Sequence, residues 1–134
     1  MGTRRKSREL ALQALYQADM TAASPLDTLP ILCDNFEVSR KALPYGRELV
    51  EGIVANLPAI DAVIEESAAH WRLSRMSLID RNIMRIAVHE FRFRADVPAS
   101  VAIDEAIELA KRFGAEDSPA FINGILDAVR KKVP

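Results

Sequence analysis

The sequence predicts an all-α fold: a seven-helix bundle built from two small helical subdomains. Three observations lead there. Apolar residues recur at three- and four-residue spacing along almost the whole chain, and no stretch alternates in the two-residue rhythm of a strand. Pro25, Pro44, Pro58, Pro98 and Pro119 fall between such segments or at their starts, where a missing N–H costs least. Hydrophobic residues make up 49% of the 134, ample for a packed core.

The first helix is expected near residues 4–20. Leu12, Leu15, Tyr16 and Asp19 follow one side of it, and Ala11, Leu15 and Ala18 the adjoining one. The next three are expected near 26–36, 44–56 and 58–71, each close behind a proline. A fifth, near 76–94, starts at Ser77-Leu-Ile-Asp80, which resembles a capping box with Asp in place of Glu. In the sixth, near 99–113, Ala102, Ala106, Leu109, Ala110 and Phe113 form an unbroken apolar stripe. Gly114 follows, a residue able to adopt the positive φ that stops a helix. Ser118-Pro119 offers an N-cap and a first-turn proline for the seventh, near 119–131, striped by Ile122, Ile125, Leu126 and Val129. A seam is expected around residues 72–77, giving subdomains of about 1–74 and 75–134. Halves of about 65 residues are small for independent cores, so they are expected to share one core within a single domain.

The net charge of −1 conceals a polarised chain. Arg4, Arg5, Lys6 and Arg8 place four cations and no acid in the first eight residues. Residues 9–71 carry a balance of −7, and residues 72–134 one of +2. A cationic end on an acidic half suits a localised polyanion site, with nucleic acid the first candidate and an acidic protein surface the second. No apolar run approaches the roughly 18 residues of a membrane span, so no membrane partner is expected. The basic start is not followed by a continuous apolar region, which argues against a secretory signal. The single cysteine, Cys33, excludes an internal disulfide and fits a reducing, cytoplasmic setting.

Catalytic chemistry finds no foothold, and neither a cofactor nor a metal is expected. His70 and His89 are isolated, with no metal-ligand spacing around them. Cys33 has no basic neighbour and reads as a small buried hydrophobe. The five glycines are scattered, so no phosphate-cradling loop exists. Asp104, Glu105 and Glu108 sit early in a helix, where acids complement the helix dipole.

Three constellations could bind. Arg4 and Arg8 lie one turn apart, beside a polar ridge of Arg5, Glu9, Gln13 and Tyr16. Arginine's planar fork suits phosphate, Gln13 can read a base edge, and Tyr16 can stack on a base. The same residues equally describe a solvated basic end with Tyr16 in the core. The second runs from Lys111-Arg112 through Gly114 and Asp117 to Phe121, Asn123 and Gly124. Phe121 sits at the edge of its helix's apolar stripe, and a helical Gly124 costs roughly 1 kcal/mol relative to Ala unless something packs closely on it. The third comprises Arg72, Arg75, Arg81, Arg85, Arg92 and Arg94, either a solvated face or a set of docking arginines.

The segments from Arg4 to Gln17, Asp80 to Glu90, Asp96 to Pro98, Val101 to Lys111, and Phe113 through Phe121 to Asp127 together resemble the NusB family of transcription antitermination factors. Residues of about 20–75 carry little of that signature. The resemblance implies an all-α pair of subdomains that binds boxA of nascent ribosomal RNA with a ribosomal protein, NusE. That pair joins other Nus factors on the RNA polymerase elongation complex and suppresses termination. By position, Arg4, Arg5, Arg8, Gln13, Tyr16, Asp117 and Phe121 would contact RNA, with Lys6 and Lys111 adding charge nearby. Arg81, Arg85 and Glu90, on the fifth helix, would face NusE. The family includes monomers and homodimers. The alternative from a different class is a protein-only scaffold or homodimer whose arginines dock acidic partners.

Overall fold

A computed structural model describes residues 2–35, 40–69 and 71–132, the side chain of Asn35 excepted. Among them are seven α-helices and no strand: α1 (Thr3–Thr21), α2 (Pro25–Asn35), α3 (Leu43–Ala55), α4 (Leu57–Ser67), α5 (Leu78–Phe93), α6 (Ala99–Phe113) and α7 (Ser118–Arg130). Short 3-10 turns at Arg40–Ala42 and Leu73–Arg75 precede α3 and α5. The helices group into two compact units, residues 1–55 and 56–134.

In the first unit α1 packs on α2 and α3, and α2 on α3. Leu10 and Leu12 of α1, Leu29 of α2, and Leu49 and Ile53 of α3 are fully buried. Ser7 joins the layers: its hydroxyl, wholly buried, donates to the Ala42 carbonyl at 2.7 Å just before α3 begins. Helix α1 ends on Ala22, whose φ of 62° is left-handed and whose N–H donates to the Ala18 carbonyl at 2.9 Å.

In the second unit α5 is the hub, packing on α4, α6 and α7. Residues 82–90 are buried all round its circumference, the signature of a central helix. The Ser77 hydroxyl accepts from the Asp80 N–H at 3.0 Å, giving the expected N-cap. Arg85 of α5 bonds both oxygens of Asp61 on α4, at 2.8 and 2.9 Å, and donates to the Asn82 side-chain oxygen at 2.9 Å.

Several expectations are corrected. The two units divide at 55/56 rather than at the charge change near 72–77, because α4 turns Ile60, Val63 and Ile64 onto α5 and α7. Helix α4 ends at Ser67, not 71, where the chain turns through Ala69 at φ 52°. Gly114 has extended backbone, not positive φ; what demands a glycine is space, since a Cβ there would stand 2.7 Å from the Ser118 side chain. Asp117, rather than Ser118, occupies the N-cap of α7, because the Ser118 hydroxyl instead accepts from the Ala115 N–H at 2.9 Å. Gly124 is exposed, and beyond its chain neighbours and the backbone of its own helix no atom of the described residues lies within 4 Å of where its Cβ would be, so internal packing does not explain it. His70, and Phe36 at the expected end of the second helix, lie outside the described residues.

Candidate nucleic-acid interface

Helix α1 starts against its own dipole. Its first turn holds Arg4, Arg5 and Lys6 and no acid, an arrangement that disfavours the helix and favours an anion docked at its end. An aromatic ring meets Arg4 and, one turn on, Arg8. The Arg4 guanidinium lies over Tyr45 of α3 at 4.8 Å from the ring centroid, and that of Arg8 at 5.9 Å. Tyr45 is itself buried, so its orientation is held by the core. Spacing within one helix cannot reveal a partner 37 to 41 residues away, and Tyr45 escapes the sequence reading for that reason.

The helix distributes its polar residues unequally. Arg5, Glu9, Gln13 and Tyr16 share a half-exposed ridge, and Lys6 is exposed. Arg8 is only 5% exposed. Its guanidinium is buried beside Tyr45, against the expectation of a cation open to phosphate, whereas Arg4 and Arg5 are half-buried and Lys6 is exposed.

In the second unit, Phe121 and Asp117 line a cleft of about 240 Å³ together with Trp71, Arg75, Met76 and Asp80. Phe121 is half-buried and meets Trp71 edge to face, 5.6 Å between centroids at 78°. Trp71 is a residue the sequence reading missed. Its signal is a lone tryptophan in the polar stretch Trp71-Arg-Leu-Ser-Arg75, where no apolar stripe calls for one. Lys111 does not line this cleft; it is exposed and lies 3.7 Å from Glu108.

The candidate partner residues fare differently. Arg81 is half-buried. Arg85 is 7% exposed and engaged with Asp61, and Glu90 is 1% exposed, which corrects the expectation that these two face a partner. A buried charge separated from its counter-ion is costly, so the guanidinium stays where Asp61 holds it. Cys33 and His89 are both buried, the histidine ring 5.2 Å from that of Phe93. Among the described residues no group of three or more His, Cys, Asp or Glu side chains is arranged to hold a metal ion, and no helix is long and apolar enough to cross a membrane.

Comparison with known proteins agrees with this architecture. A transcription antitermination protein NusB of Desulfatibacillum aliphaticivorans is 49% identical over 129 residues, covering 96% of this chain and 90% of its own. The structure of T. maritima NusB is similar with a TM-score of 0.89 and 39% identity, over 98% of this chain and 93% of that one. A NusB chain solved with NusE and double-stranded RNA is similar with a TM-score of 0.88 at 25% identity, covering 98% of both chains. The family described as NusB matches residues 5–131. By fold, by sequence and over nearly its full length, the chain belongs to the NusB family.

Proposed function

We propose that the chain is an RNA-binding transcription antitermination factor that takes up boxA of nascent ribosomal RNA together with NusE. In this reading the complex joins other Nus factors on elongating RNA polymerase in the cytoplasm and suppresses termination. The observation that carries it is the start of α1, where cations replace the acids a helix N-terminus prefers and Arg4 lies over Tyr45. Arg4, Arg5 and Lys6 take phosphates, Gln13 and Tyr16 follow the strand along their ridge, and Phe121 stacks a base with Asp117 and Lys111 nearby. The two units act as one RNA-binding domain, without catalytic turnover. NusE docks on the second unit through Arg81 and neighbouring exposed residues. A protein-only scaffold is less well supported, because Arg85, one of its candidate docking arginines, is buried and engaged with Asp61.

Binding of a labelled boxA-like RNA, measured by anisotropy across a salt series, tests the reading. Neutralising about three phosphates gives a slope of log K on log salt of about −2 for a single strand. A flat salt response rejects the phosphate role of α1. Phe121→Ala is expected to weaken binding by about 1–3 kcal/mol, the range for one base–aromatic stack. A variant that unfolds while its native fraction binds normally would instead assign Phe121 to the core.

A further inference from the structure

We propose that Trp71 is a second base-stacking residue, forming with Phe121 a two-ring platform for one nucleotide of a single-stranded RNA. The inference rests on the RNA-binding reading above and extends it to a residue that reading does not use. Trp71 is 50% exposed, an unusual position for the chain's single tryptophan, whose indole loses favourable burial there. The ring is not on a loose segment. The Trp71 backbone N–H donates to the Ala68 carbonyl at 3.1 Å, the Leu73 N–H donates to Glu65 Oε2 at 2.8 Å, and the buried Met76 anchors the far end. A half-exposed ring on a tethered backbone is already ordered for a ligand, which lowers the cost of binding.

The geometry of the pair points to a base. Because Trp71 and Phe121 meet edge to face, the ring that presents its edge keeps both faces uncovered by the other. A planar π-system fits such a face, and every base has one, so the platform serves any nucleotide the strand delivers. The polar lining suits a nucleotide better than an apolar peptide: Arg75 lines the cleft and Arg72 is exposed on the same segment, where they can meet the flanking phosphates, while Asp80 and Asp117 of the lining can accept from a base's amino group.

The lone indole makes the test direct, since fluorescence excited at the red edge of the indole band, where the two tyrosines do not absorb, reports this residue alone. A boxA-like oligoribonucleotide is titrated into the full chain while fluorescence and the anisotropy of a labelled copy are followed together. The expected result is quenching of Trp71 that saturates in step with anisotropy. Trp71→Ala should weaken binding about 5- to 150-fold with an unchanged salt slope, because a stack carries no charge. Trp71→Phe should recover most of the loss. RNA binding with no change in fluorescence, and with Trp71→Ala binding like the parent, overturns this inference and leaves the RNA reading standing. Loss of NusE affinity in Trp71→Ala by calorimetry, with RNA affinity intact, reassigns the cleft to a protein and also overturns it. No RNA binding by the parent, even with NusE present, overturns both.

Discussion

At the scale of single residues, what matters is which charges are available and which are engaged. Tyr45 is the clearest case, since one buried ring faces two guanidiniums of α1. A cation over an aromatic face contributes about 0.5–1 kcal/mol when exposed and about 2 when desolvated. Tyr45→Leu should therefore weaken RNA binding several-fold while circular dichroism stays native, and Tyr45→Phe, which keeps the ring, should bind like the parent. Equal losses in the two variants would move the effect from the ring to the phenol oxygen. Arg85 works in the opposite sense. Its guanidinium is held between Asp61 and Asn82, so Arg85→Ala strands a partly buried carboxylate. Unfolding in urea should show a loss of about 3 kcal/mol, near the low end for a broken buried pair because Asp61 retains some solvent contact. Asp61→Asn combined with the first change should cost much less than the sum of the two, as coupled partners do.

At the scale of elements, three small residues set how helices end and what they touch. Ala22 holds the left-handed C-cap of α1 with a side chain that resists it. Ala22→Gly should raise stability by about 0.5–1 kcal/mol, visible as a higher Tm. Gly114 gives the contrasting case. Its backbone suits any residue, yet Gly114→Ala places a methyl against Ser118 and the Ala110 carbonyl, and should lower Tm by displacing α7 from the end of α6. Gly124 stands open on α7, one turn beyond Phe121. Gly124→Ala should stabilise the helix by about 1 kcal/mol in urea unfolding. If the stabilised variant also binds RNA less tightly, the glycine's open face is where the ligand approaches.

For the whole molecule, RNA and NusE are expected to use separable surfaces. Reversing Arg4 and Arg5 to Glu should abolish RNA binding yet leave NusE association within about 0.5 kcal/mol, since sites that share no partner add independently. Calorimetry with NusE alone decides it, and a folded double mutant that loses NusE would show that the surfaces overlap. Much of this molecule is legible along its own chain. The seven helices, their apolar stripes, the Ser77 cap and the basic start of α1 all follow from spacing within a single turn or two, where each residue's neighbours are known without the fold. What spacing cannot supply is the identity of partners brought in from elsewhere. Tyr45 beneath Arg4 and Arg8, Asp61 holding Arg85, Trp71 against Phe121, and Ser118 crowding Gly114 are all meetings between different helices or across a turn. Local periodicity therefore determined the elements and their buried faces. Tertiary packing decided how far each cation is buried, because the ring over which Arg8 lies and the carboxylate that holds Arg85 come from other segments, and in sequence both arginines look the same as the exposed Arg72 and Arg75.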